Sequence, residues 1–282
     1  MGEKRVGHAG TLDPAATGVL VVGIGQATKL LGLLTLDRKG YRASFALGAE
    51  TTTDDAEGEV VATADVPEAL LDPRRASSEL SRLVGECDQI PPRFSAVSVG
   101  GRRAYDAARA GEELELKARH VTIYGADLVG VDAERRTWTV DLDVSKGTYV
   151  RSIARDLGRD LGCLAHVCEL RRTFSGPVTL EDCVSLDELS GRGAELVHER
   201  ALDPATTLDL PLRELSVDEI PDVMCGRRIL AGVARDAAGV SEVTDGQRVA
   251  LVFGGGLAGI WRCEGRRLVC ETNFPQAIEG VR

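Results

Sequence analysis

Cysteine is present in this chain, but never as a CxxC pair, and the seven residues at 87, 163, 168, 183, 225, 263 and 270 are an odd number. That pattern argues against a complete disulfide framework and against the usual zinc spacings. Cys163, His166 and Cys168 lie close together, but in a stretch rich in Leu, Val and Ala, so they read as buried thiols and no metal is expected. Apolar runs are short: none reaches the ~18 residues that a membrane helix requires. Met1-Gly2-Glu3-Lys4-Arg5 leads into no apolar signal core, so neither secretion nor a membrane span is indicated and a cytoplasmic location is expected. No internal repeat or low-complexity tract is visible. Aromatic residues make up only 4% of the chain, with four tyrosines, two of which prove informative.

Positive charge is outnumbered, with 34 Lys and Arg against 44 Asp and Glu. The formal net charge is −10, which by itself speaks against a nucleic-acid partner, since phosphate neutralisation supplies much of that binding. Its distribution tempers the point. Residues 89–111 carry Arg93, Arg102, Arg103 and Arg109 against Asp106 alone, whereas residues 50–59 carry Glu50, Asp54, Asp55, Glu57 and Glu59 with no cation. A basic face with an acidic far surface is the expectation.

What the chain does have is a soluble globular composition, 43% hydrophobic and 28% charged, over 282 residues. That length suits two domains, because single cores stop growing near ~250 to 300 residues. Apolar runs at 19–24, 41–47, 121–131, 137–144, 248–253, 257–263 and 267–270 predict strands. Helices are predicted at 27–34, 75–86, 102–110, 149–161, 185–189 and 216–224. The helix at 149–161 has the clearest period, through Tyr149, Val150, Ile153, Ala154, Leu157 and Leu161, with Gly162 as its stop. Elements mix without strict βαβ alternation, which predicts an α+β layer with a partly antiparallel sheet. A boundary is expected near 203–215, at Asp203-Pro204 and Leu210-Pro211, followed by Gly-rich turns that suit a small β-barrel.

Two motifs compete for the chemistry. GIGQAT at 23–28 follows a strand and opens a helix like a dinucleotide-binding loop, but its third position is Thr28 and no acidic residue stands at the expected distance. HAGTLDPAATG at 8–18 sets one carboxylate, Asp13, between Gly10, Pro14 and Gly18 just ahead of an apolar run. On local sequence alone, Asp13 reads better as a turn residue bonding its own backbone than as a catalytic group.

The run 8–18 resembles the catalytic motif of the TruB family of tRNA pseudouridine synthases. KGYRASFALG at 39–48, PPRFSAVSVGGRRAYDAARAG at 91–111, and GTYVRSIARDLG at 147–158 with ELRRTFSGP at 169–177 resemble that family in the same order. The resemblance implies a pseudouridine synthase fold, α+β with a mixed, largely antiparallel central sheet flanked by helices. It implies a catalytic domain over 1–209 and a PUA-like RNA-binding β-barrel over 210–282. The family also carries, ahead of the catalytic loop, a strand with a DKP-type motif and a helix; Met1 falls just before that loop, so the catalytic domain is expected to be shortened there.

The function so implied is conversion of the T-loop uridine of tRNA, position 55 in standard tRNA numbering, to pseudouridine by a monomer without a cofactor. Asp13 is the implied catalytic carboxylate and Arg151 its ion-pair partner. Tyr41 stacks on the target base, Tyr149 lies near its C5 as a candidate for proton removal, and Leu170 packs against it. His8 fills the gap left by the flipped uridine. Arg93, Arg102, Arg103, Arg171 and Arg172 suit phosphate contacts, while Ser98 stands where relatives often carry Lys. A non-catalytic RNA-binding or tRNA-folding protein is the alternative, and a nucleotide-dependent enzyme built on GIGQAT a third reading.

Overall fold

Alternation along Thr137–Val144 organises the first half of the fold. Trp138, Val140, Leu142 and Val144 turn inward and are almost wholly buried, while Thr137, Thr139, Asp141 and Asp143 turn out. A computed structural model of the chain describes residues 2–34, 38–95, 97–99, 102–105 and 114–281, with 98, 99, 102 and 103 described by their backbone alone. The described chain forms two compact units, one of Leu12–Val19 and Asp37–Ser175, the other of Met1–Thr11, Leu20–Leu36 and Gly176–Arg282.

The unit of residues 12–19 and 37–175 is built on strands β1 (Lys39–Leu47), β2 (Gly85–Gln89), β3 (Arg119–Asp132), β4 (Thr137–Val144) and β5 (Ala165–Ser175). Their order is β5-β1-β4-β3-β2, each neighbour antiparallel, with Thr17–Gly18 parallel beside β5. Two helices, α1 (Pro73–Ser81) and α2 (Val150–Asp160), pack on the inner face. Helix α1 starts where Asp72 accepts from the Arg74 amide at 2.9 Å with Pro73 in the first turn, as a helix N-terminus favours. Val150, Ile153, Ala154 and Leu157 of α2 close over Phe45, Trp138 and Val140. Each such large side chain contributes about 1.5–3 kcal/mol on burial. The Trp138 indole N–H donates to the Leu70 carbonyl at 2.8 Å, so the largest core residue leaves no polar atom unpaired. Gly158 lets α2 lie against the start of β5: a Cβ there would stand 2.2 Å from the Ala165 nitrogen.

Helix α2 lies within one residue of its predicted span at each end. Strand β5 is absent from the predicted strands, because Glu169, Arg171 and Arg172 hide its period from a hydropathy reading. The run 19–24 is not one strand: Thr17–Gly18 ends at Gly18, whose φ is +99°, and extended pairing resumes at Val22–Ile24. Of the helix predicted at 102–110, Ala104 and Tyr105 are helical, Arg102–Arg103 instead forms an antiparallel bridge with Ser98–Val99, and 106–110 lie outside the described residues.

In the other unit, Val6–His8 pairs antiparallel with Val22–Ile24, and Gly25–Leu30 is a 3-10 turn running into the short helix Leu31–Leu34. Among the described residues GIGQAT therefore follows a two-stranded antiparallel ribbon, not the parallel βαβ layer that a dinucleotide site requires. The same unit holds β6 (Leu212–Glu214), β7 (Ile229–Leu230), β8 (Val233–Asp236), β9 (Gly239–Glu242), β10 (Arg248–Phe253), β11 (Gly256–Glu264) and β12 (Arg267–Glu279). They form a half-barrel in the order β7-β12-β11-β10-β6-β8-β9, with only β6 and β10 parallel. Trp261, Leu251 and Leu268 fill it.

Candidate active site

The Asp13 loop is fixed by its own sequence. Asp13-Pro14-Ala15-Ala16 forms a turn in which the Ala16 amide donates to the Asp13 carbonyl at 2.9 Å, with proline at the second position, where its fixed φ fits. Five residues after Asp13, Gly18 tolerates no side chain, since a Cβ would stand 2.1 Å from the Arg172 carbonyl oxygen. Through that approach the Val19 amide donates to the Arg172 carbonyl at 2.9 Å. The loop thus hangs from the edge of β5, with the Asp13 side chain 32% exposed.

Helix α2 supplies the counter-charge. Arg151 sits in its first turn with a side chain only 7% exposed, and one terminal nitrogen donates to Asp13 Oδ1 at 2.7 Å and to the Phe94 carbonyl at 3.1 Å. The other donates to the Thr53 carbonyl at 3.0 Å and lies 3.3 Å from Asp55 Oδ2. Such a buried, charge-assisted pair is short and directional. The start of α2 is itself held by Gln89 of β2, whose amide accepts from the Tyr149 N–H at 2.8 Å and donates to the Tyr149 carbonyl at 3.1 Å. Tyr149, half-buried, stands two residues ahead of Arg151.

Tyr41 of β1 is half-buried and faces Arg172 directly across the β1–β5 ladder, while Leu170 faces Ala43 one step along. Tyr41, Leu170 and Arg172 therefore share the inner face. Burial pushes the Tyr41 phenol above its ordinary pKa, against the opposing pull of Arg172 and with a further push from the Asp13 charge. Asp13, Tyr41, Arg151 and Leu170 are thus placed by one sheet and one helix.

Two expectations need correction. Arg172 is 1% exposed and donates through Nε to the Val19 carbonyl at 2.6 Å, so its guanidinium faces inward and is not a phosphate contact. Residues 50–59 are not simply an acidic far surface. Arg151, Arg155 and Arg159, four residues apart on α2, meet Asp55, Asp54 and Glu50 in turn. Asp54, with φ +60° and 7% exposure, lies 3.0 Å from Arg155, and burial raises its pKa against that attraction. Glu57 and Glu59 remain exposed. Asp54 and Asp55 were missed as site neighbours; the four-residue arginine spacing opposite an acidic turn was the available signal.

Of the remaining residues, His8 is exposed on the Val6–His8 strand, and Arg93 and Arg171 are exposed. Arg102 and Arg103 have their backbone on the short bridge with Ser98–Val99; their side chains, and Arg109, lie outside the described residues. Cys163 is buried and Cys168 half-buried, and burial pushes both thiols up. His166 Nδ1 lies 3.0 Å from the Ala49 carbonyl oxygen, and the described residues hold no cluster of His, Cys, Asp or Glu able to bind a metal ion.

Comparison with known proteins shows the family of the chain. Residues 1–150 match the family model for the TruB family pseudouridylate synthase N-terminal domain, and residues 151–208 match the tRNA pseudouridylate synthase B C-terminal domain. A tRNA pseudouridine synthase B from Thermobifida fusca (strain YX) is 48% identical over 235 residues, covering 81% of this chain and 78% of that protein. One from Arthrobacter sp. (strain FB24) is 43% identical over 256 residues, covering 89% and 81%. A solved Cbf5-Nop10-Gar1 complex contains a chain that superposes with a TM-score of 0.66 at 24% identity, over 96% of this chain and 77% of that one. A solved H/ACA RNP bound to a substrate RNA containing 2′-deoxyuridine gives 0.66 at 22% identity over the same shares. These two likenesses concern the fold.

Proposed function

The chain belongs to the TruB family of pseudouridylate synthases, and from that premise we propose that it isomerises the T-loop uridine of tRNA, position 55 in standard tRNA numbering, with Asp13 as the catalytic carboxylate. As an enzyme of this family it is an isomerase that turns uridine into pseudouridine in tRNA. The reaction breaks the C1′–N1 bond, turns the freed uracil and joins C5 to C1′; the proton lost from C5 is matched by one gained at N1, so the step is a redox-neutral isomerisation.

The observation that carries this reading is the pair of a partly open Asp13 with a buried Arg151 at 2.7 Å. A guanidinium at that distance fixes the direction of the carboxylate. So directed, the Asp13 carboxylate is equipped either to attack the sugar or base, or to take a ribose proton, and both routes release the base. Tyr41 offers the ring on which the flipped uracil stacks, a contact worth about 1–3 kcal/mol per base. Leu170 closes the apolar side, Tyr149 accepts the C5 proton, and His8 occupies the space the flipped base leaves. Arg93, Arg102, Arg103 and Arg171 serve phosphates, and residues 210–282 act as a PUA-like RNA-binding domain. The enzyme works as a monomer in the cytoplasm.

The test is incubation of the purified chain with a T-arm RNA hairpin and with the same hairpin carrying cytidine at the target, followed by nucleoside mass spectrometry. Pseudouridine in the first RNA and none in the second is expected. Tight binding of both without pseudouridine would instead establish the non-catalytic RNA-binding alternative.

A further inference from the structure

We propose that Arg172 is a positioning residue for the reaction: its buried guanidinium ties the backbone of the Asp13 loop at Val19 to Tyr41, so that the carboxylate and the stacking ring are held as one piece. The inference rests on the roles given above to Asp13 and Tyr41.

The argument begins with the sequence Leu170-Arg171-Arg172-Thr173. Two adjacent arginines on a strand face opposite ways, and here Arg171 turns out while Arg172 turns in with only 1% exposure. Arginine is almost never buried without strong partners, because its charge must be taken out of water. Arg172 has them on two sides. Nε donates to the Val19 carbonyl at 2.6 Å, and the Val19 amide returns a bond to the Arg172 carbonyl at 2.9 Å. Across the β1–β5 ladder its direct partner is Tyr41, on the same face of the sheet, and the guanidinium lies near enough to pull against the burial-driven rise of the phenol's pKa.

Three local features show that this contact is built. Thr17–Gly18 pairs in parallel with Arg171 and Arg172, which sets the loop in register with β5. Gly18 at φ +99° lets the two backbones meet where any side chain would collide. A register shift between Arg172 and Phe174 bends β5 just after the arginine, the kind of bulge that re-aims a side chain. A planar fork of five N–H donors suits a task in which a carbonyl and a phenol are held at once, which lysine's single ammonium does less well. Val19 lies six residues after Asp13, with the proline turn between them. Slack at Val19 is therefore passed to the carboxylate, and a misplacement of about 1 Å in a reacting group costs on the order of 100-fold in rate.

The test uses the full chain with Arg172→Met and Arg172→Lys, each alone and combined with Tyr41→Phe. Single-turnover rate and Kd are measured on the T-arm hairpin, and amide hydrogen exchange is followed without RNA. Arg172→Met should lower the single-turnover rate at least about 30-fold with Kd changed less than about threefold. Arg172→Lys should recover part of that loss. In the Tyr41→Phe background the Arg172→Met loss should shrink several-fold, since one end of the tie is already cut. Exchange should quicken over residues 12–19 and stay unchanged in β3 and β4. Additive losses with unchanged exchange over 12–19 would overturn the proposal in favour of plain core packing. A weaker Kd with an unchanged rate would overturn it in favour of a phosphate contact. If Arg172→Met does not fold, Arg172→Lys carries the same comparison. If the wild-type chain makes no pseudouridine, the reading of Asp13 fails, while the exchange data still decide whether the tie exists.

Discussion

Arg151 is bound on both sides, by Asp13 through one terminal nitrogen and by Thr53 and Asp55 through the other, so the residue that directs the carboxylate is itself directed. Asp13 and Arg151 were legible in the sequence only through the resemblance of HAGTLDPAATG and GTYVR to a known family. Arg172 was legible as a cation but not as a buried one, because a hydropathy reading sends every arginine to solvent. Tyr41 offers a check at this scale. Burial raises its phenol pKa, and that outweighs the opposing pull of Arg172, so the folded state favours the neutral phenol. The stabilisation that follows is fully present below the unfolded value of about 10 and is lost as the pH rises through the folded value. In an ultraviolet titration, the difference between the wild-type chain and Tyr41→Phe should show one phenol ionising only above about pH 10. An ionisation below that would contradict the assignment and would allow Tyr41 to act as a base instead of a stacking ring.

Helix α2 does more than supply Arg151. Its three arginines at 151, 155 and 159 form a ladder with Asp55, Asp54 and Glu50, and this pins the turn 52–58 beside the site. The helix itself was plain in the sequence from its apolar period and its glycine stop. The turn was not, because an acidic run shows its partners only once the chain has folded. Asp54 and Arg155 are both buried, and removing one member of such a pair costs about 3–5 kcal/mol by leaving the other charge unpaired. Arg155→Met is therefore expected to lower the unfolding free energy by about 3 kcal/mol or more near pH 7. Because the folded pKa of Asp54 is raised, its protonated form is the stabilising one, and the deficit should shrink as the pH falls through that value. Urea unfolding of both proteins at neutral and mildly acid pH measures this. A deficit under about 1 kcal/mol that ignores pH would show the pair to be dispensable.

At the scale of the whole molecule, the sequence disclosed an α+β chain with a β-rich final segment, and the observed sheets have that character. It did not disclose that one compact unit takes residues 12–19 and 37–175 while the other takes residues before, between and after them. Such interleaving depends on pairings between distant segments, as when Thr17–Gly18 lies beside β5, and local periodicity carries no trace of them. The net charge of −10 is likewise a property of the whole chain that says little about a site lined by Arg151 and Arg172. The central claim is that turnover depends on one carboxylate while RNA binding is spread over the molecule. Asp13→Asn tests it most directly, since it keeps the side chain's shape and removes its charge. Pseudouridine formation on the T-arm hairpin and Kd should be measured together on the wild-type and Asn proteins. The account predicts that product vanishes while Kd stays within a few fold; pseudouridine formed by the Asn protein at a near wild-type rate would contradict it.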